Sequence, residues 1–177
     1  MYIEKTKNWL EKIVIGLNLC PFAKHPFKSN KIRYVVHSGN DLNVLSETLV
    51  TELRTLAAAD SVELETTLII VPDSLFDFED YLNYVDFSEQ ILEELELEGV
   101  IQVASFHPLY QFDGTKTDDV ENYTNRSPYP MLHLLKESSV SWAVDNFPDV
   151  DDIPNKNIET MKGLGVEKVK NLLEFGF

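Results

Sequence analysis

The chain predicts an α/β fold: a single compact domain over residues 1–177, with a small, mainly parallel sheet of three to four strands flanked by helices. Two observations carry this. Three short apolar or β-branched runs, KIRYVVHS, ETTLIIVPD and VIQVASFHP, read as strands. The stretches between them place apolar residues at helical spacing. Strands that alternate with helices pair in parallel through right-handed crossovers. A chain of 177 residues buries roughly 70% of its unfolded surface, enough for a core without staples.

The elements follow in order. Residues 3–16 predict a helix, with Ile3, Leu10, Ile13, Val14 and Leu17 on one side and Gly16 as its stop. Pro21 and Pro26 break the next stretch. After the first strand, Asp41 is placed to cap a helix whose Leu42, Leu45, Leu49, Leu53 and Leu56 face inward. After the second, Asp77 caps a long acidic helix that turns Phe78, Tyr81, Leu82, Val85, Leu92 and Leu95 inward and closes at Gly99. The third strand is nearly all apolar, which predicts burial on both faces. A polar loop from Leu109 to Tyr129 then leads into a helix from about Pro130 to Val144. The stretch DNFPDVDDIPNK is a loop, and a helical pair at about 157–175, broken around Gly163 and Gly165, ends the chain. That pair imitates a DNA-binding helical hairpin, but the acidic surroundings favour plain packing on the core.

Charge is divided along the chain. Residues 1–40 carry seven Lys/Arg and two Asp/Glu, whereas residues 41–177 carry eight and twenty-eight, which gives +5 and −20 and sums to the net −15. Such a surface repels nucleic acid, whose affinity rests on phosphate neutralisation. No segment approaches the ~20 apolar residues of a membrane span, and the N-terminus lacks the unbroken apolar run of a secretory signal. A single cysteine, Cys20, allows no internal disulfide. Together these imply a cytoplasmic protein, in which the two acceptor-like triplets Asn122–Thr124 and Asn125–Ser127 are never glycosylated.

The candidate site lies in the long loop, because open parallel sheets place their sites beyond the carboxyl ends of strands. His107 ends the third strand, and the loop behind it carries Asp118, Asp119, Asn122, Asn125 and Arg126. If Ser127 caps a helix whose first turn holds Pro128 and Pro130, free N–H groups and Arg126 together make an anion site on an acidic protein. His133 would sit near the same helix start. The bland alternative is that Arg126 pairs with Asp118 or Asp119 and only pins the loop.

Other chemistries compete. His133 and Glu137, four apart, would share a helix face, and with His107 and Asp118 or Asp119 they form a possible ligand set. No paired Cys/His motif supports it, so no metal ligand is assigned and the cofactor stays open. Cys20 is a candidate nucleophile with His107 or His133 as base. Its apolar neighbours Leu19, Pro21 and Phe22 favour a buried thiol.

The segments GLNLCPFA, VASFHPLYQFDGT, DDVENYTNRSPYPMLHLLKE and NIETMKGLG resemble a bacterial family, domain of unknown function 1415. The likeness runs from Trp9 to about Gly165 and implies a single-domain bacterial protein, with no activity attached. Lys136 stands where the family's arginine is expected, which weakens any two-pronged hydrogen-bonding role there.

Two readings remain. In the first, the protein is a hydrolase or group transferase for a small anionic substrate: Arg126, Ser127, Asn122 and Asn125 bind, Asp118 or Asp119 orients, His107 and His133 exchange protons, and Cys20 is an outside nucleophile. On that reading His107→Ala leaves the fold intact. In the second, it is a non-catalytic ligand- or protein-binding module that uses the acidic helix at 77–97 or the 109–129 loop.

Overall fold

A computed structural model describes residues 1–147 and 149–175. Pro148, in the expected DNFPDVDDIPNK loop, and the last two residues of the expected 1–177 domain lie outside the described residues.

The N-terminal helix begins as α1 (Tyr2–Trp9) and continues as π-helix over Leu10–Ile15. A Cβ on Gly16 would meet the Lys12 carbonyl carbon at 2.9 Å, so this turn admits only glycine. A short α2 (Lys24–Lys28) precedes strand β1 (Ile32–Val36). Helix α3 (Leu42–Ala58) starts as expected, with the Asp41 carboxylate accepting from the Asn43 N–H at 2.9 Å. Its Leu45, Leu49, Leu53 and Leu56 are fully buried, whereas Leu42 stays exposed. Strand β2 (Thr66–Ile70) and helix α4 (Phe78–Glu94) follow. Asp77 caps α4 by accepting from Glu79 N–H at 2.9 Å and Asp80 N–H at 3.1 Å. On α4 the expected inward Leu82 is instead exposed.

Strand β3 (Ile101–Phe106) leads through a long connection, with a 3-10 turn at Val120–Thr124, to strand β4 (Met131–Lys136). Here the structure corrects the sequence. The expected helix from Pro130 to Val144 is a strand followed by α5 (Glu137–Asn146). β4 lies between β2 and β3 and is antiparallel to both. A central strand buried on both faces reads as an unbroken apolar run, and such a run resembles a buried helix. Pairing with two neighbours satisfies its backbone and outweighs the helical propensity of Met and Leu.

The sheet order is β1-β2-β4-β3. β1, β2 and β3 run in one direction, as the alternation implied, but only β1 and β2 pair in parallel. The sheet is therefore mixed rather than mainly parallel. β3 is an edge strand with only Ile101 buried, against the expectation of burial on both faces. The fully buried strand is β2.

Two cores flank the sheet. On one face α3 and α4 pack against Ile69, Val71, Leu132 and Leu134. On the other, α1, the π-helical run and the closing helices α6 (Ile153–Leu164) and α7 (Val166–Phe175) cover Leu68, Ile70 and Met131. The C-terminal pair thus starts earlier than expected and breaks at Gly165, whose φ of +78° suits glycine. Met161, Val169 and Leu173 anchor it in the core.

Candidate functional site

Alternation along the strands decides which predicted site residues can meet. Met131 and His133 face the second core, and Phe106 pairs with Met131 in register. His107, the next residue after Phe106, turns to the other side, where it contacts Phe78 and Tyr81 of α4 with ring centroids 5.2 and 4.9 Å away. The two imidazoles therefore lie on opposite faces of the sheet.

His107 is fully buried and has both nitrogens engaged. Leu109 N–H donates to Nδ1 at 3.0 Å, so the proton sits on Nε2, which donates to the Leu75 carbonyl at 3.0 Å. Desolvation by burial lowers its pKa from the ordinary value. The ring is a neutral brace holding the loop after β2. Leu75 in that loop has φ +56°, a left-handed conformation that costs a leucine about 1–2 kcal/mol.

His133 places Nε2 2.6 Å from Thr66 Oγ1, whose hydroxyl also contacts the Leu134 carbonyl at 2.6 Å. Desolvation holds this imidazole down at about 4. The unfolded chain therefore takes up a proton at higher pH than the folded one does. Stability tied to neutral His133 is complete above about pH 6.5 and is lost as pH falls towards 4, up to about 3 kcal/mol across the window. His133→Gln is expected to flatten that acid-side slope, measured by urea unfolding at several pH values between 7 and 4. Equal slopes in the two proteins contradict it.

The loop residues form a clasp. Asn122 is fully buried: its Oδ1 accepts from Phe112 N–H (2.9 Å) and Thr115 Oγ1 (2.8 Å), and its Nδ2 donates to the carbonyls of Lys116 (2.7 Å) and Thr117 (3.4 Å). Arg126 donates from Nε to the Tyr110 carbonyl at 3.2 Å and from Nη2 to the Thr117 carbonyl at 2.7 Å, with its guanidinium 4.1 Å from the centre of the Tyr123 ring. It does pin the loop, but through carbonyls rather than the expected Asp118 or Asp119. Asp118 pairs with Lys170 at 3.3 Å, and Asp119 accepts from Lys116 N–H at 2.8 Å. Asn125 donates to the Ser105 carbonyl at 3.4 Å and its own carbonyl accepts from His107 N–H at 3.3 Å. Trp9 Nε1–H closes the clasp on the Arg126 carbonyl at 3.0 Å.

The expected helix start is absent. Ser127 Oγ donates to the Tyr129 carbonyl at 2.7 Å, and β4 follows. His133 and Glu137 consequently share no helix face, and no group of three His, Cys, Asp or Glu among the described residues could hold a metal ion. Cys20 is half-buried beside the second core, and burial raises its thiol pKa, the opposite of an activated nucleophile. Lys136 is buried and reaches the Ala59 carbonyl at 2.5 Å and Ser61 Oγ at 3.4 Å, a cation placed at the carboxyl end of α3. Two separated donors on an ammonium suffice there.

A different feature occupies the carboxyl ends of β1 and β2. An open groove of about 1110 Å³ runs between α3 and α4. Leu42, Val50, Leu75, Phe76, Phe87 and Ile91 give it an apolar lining, with Glu47 and Asp80 beside them. Phe76 and Phe87, 58% and 43% exposed, give the groove two solvent-facing aromatic rings beside its apolar lining. Ser46 Oγ and Tyr84 OH meet at 3.1 Å between the two helices. At one end Ser74 lines the groove, with its Oγ buried and without a hydrogen-bond partner, as is His37 Nε2 at the end of β1. Gly39 N–H donates to Asp73 at 3.0 Å and ties the two loops together.

Sequence reading named the acidic helix but missed this groove. A signal was present: Phe87 widens the apolar arc of α4 beside the buried Tyr84 and Ile91 and is left exposed. Ser74 and His37 gave no signal, because a missing partner is visible only in three dimensions.

No helix among the described residues is long and apolar enough to cross a membrane. No curated protein and no solved structure matches the chain. A family model described as Protein of unknown function (DUF1415) matches residues 1–171, nearly the whole length, and the chain belongs to that family.

Proposed function

We propose that the protein is a non-catalytic binding module of the bacterial cytoplasm and that it works through the α3–α4 groove. The observation that carries this is the apolar groove, with two exposed aromatics and an unpartnered buried Ser74 hydroxyl at its end. Native structures leave few buried polar groups without partners, and such exceptions call for an explanation. By contrast, the polar groups of the 107–130 segment are turned on one another. The reading of a small-anion enzyme drew on a helix start and converging imidazoles at that segment, where a strand and an intervening sheet now stand.

The bacterial setting comes from the sequence resemblance, and the cytoplasm from the lone cysteine, which allows no internal disulfide. The net charge of −15 disfavours nucleic acid as a partner.

Titrating isotope-labelled protein with small aromatic and aliphatic ammonium fragments, phenethylamine among them, tests the groove. Amide shifts gathered in residues 42–51 and 74–91 are expected. Shifts gathered in 107–133, or none at all, overturn the assignment.

A further inference from the structure

We propose that the occupant of the groove is a cationic amphipathic helix contributed by a partner protein. This deepens the binding reading and rests on it.

α3 and α4 both follow strands that run in the same direction, so they lie side by side on one face. The groove is lined by residues from Leu42 to Thr51 on α3 and from Asp80 to Ile91 on α4. At 1.5 Å per residue these stretches run about 15 Å, the length of roughly three helical turns. A trough of that length between two helices accepts the apolar stripe of a third, the mode in which residues at i, i+3 or i+4 and i+7 anchor in a groove. A compact metabolite would leave most of an open trough unfilled, since small-ligand pockets enclose most of their ligand.

Charge then selects the kind of helix. No Lys or Arg lines the groove among the described residues, and its charged lining groups are Glu47 and Asp80. The deficit extends outward: residues 55–115 hold fourteen Asp/Glu and no Lys or Arg. Asp77, Glu79 and Asp80 crowd the start of α4. Glu89, on the same helix, has its carboxyl pKa raised by desolvation and by the neighbouring Asp86 and Glu98, as expected of like charges held close. An anionic helix is repelled by this face and a neutral one gains nothing from it. A helix with Leu-type residues on one side and Lys or Arg on its flanks satisfies both floor and rim, and steering by the acidic field speeds its encounter. Asn40, Asn43 and Asn83 at the edges supply neutral hydrogen-bonding groups for the partner's polar flank.

The test uses two synthetic helical peptides of about three to four turns, one Leu/Lys and one Leu/Glu with the same apolar stripe, titrated calorimetrically into the full chain. The Leu/Lys peptide is expected to bind, and to weaken at least tenfold in Phe87→Asp. Phe87 is exposed, so this variant should keep its unfolding midpoint, and Phe76→Ser provides a second variant of the same kind. Raising salt from 0.05 to 0.5 M is expected to weaken binding further, because the rim charges are screened. Equal binding of both peptides, or Leu/Lys binding that ignores both variants, overturns the proposal. If the ammonium fragments shift the groove amides while neither peptide binds, the helical occupant is wrong and the groove assignment stands. If neither fragments nor peptides engage the groove, both fall.

Discussion

Asn122→Ala is expected to destabilise the protein by about 3 kcal/mol, which lowers the melting temperature by roughly 10 °C for a chain of this size. The side chain sits fully buried and makes four hydrogen bonds to residues 112–117. Truncation leaves the Phe112 N–H without an acceptor, at a cost of about 1–3 kcal/mol, and removes one of two donors on the Lys116 carbonyl, which keeps the Asp119 N–H at 2.9 Å. Arg126 still holds the loop through Tyr110 and Thr117. Asn122→Asp should also destabilise, since it keeps the acceptor but loses both donated bonds and buries a charge. Calorimetric melting of the three proteins checks this. A loss below about 1 kcal/mol for Ala would mean that the clasp contributes little.

His107→Ala is expected to destabilise by a similar amount, about 3–4 kcal/mol. It removes a buried ring packed on Phe78 and Tyr81 and leaves the Leu75 carbonyl and Leu109 N–H unpaired. This reverses the expectation from sequence that the fold would tolerate the change. A second consequence follows from position. Without its brace Leu75 can relax from its left-handed conformation, and Leu75 lines the groove. His107→Ala should therefore also weaken binding at the groove, whereas Asn122→Ala, on the far connection, should leave it unchanged. Unfolding midpoints and fragment titrations on both variants separate the two effects. His107 acts as a positioning residue, and an unchanged midpoint in His107→Ala would contradict that role.

Much of the fold was legible because local signals agreed with the final structure. Asp41 and Asp77 announced their helices by capping chemistry, and the leucines of α3 by spacing. The direction shared by β1, β2 and β3 followed from their alternation with helices. β4 was not legible. MLHLLK has the same apolar content whether coiled or extended, and only its insertion between β2 and β3 decides the matter. That one misreading propagated: Ser127 became a helix cap, His133 became a neighbour of Arg126, and an anion site followed from both. The residues singled out in the loop do cluster in space, yet as mutual partners within a clasp. Side chains of the types that bind ligands are the same types that satisfy a long buried loop, and their spacing cannot distinguish the two. The groove was half-legible, since the acidic helix was named but its Tyr84, Phe87 and Ile91 were assigned to neither face.

Binding on the α3–α4 face and a structural role for the 107–130 segment are separated by hydrogen exchange of the protein, free and with the Leu/Lys peptide. Slow exchange is expected at Phe112 and Asn122 in both states, with added protection confined to residues 42–51 and 74–91 when peptide is present. Rapid exchange through 109–122 in the free protein, with protection arriving there and α3 and α4 unaffected, would contradict both.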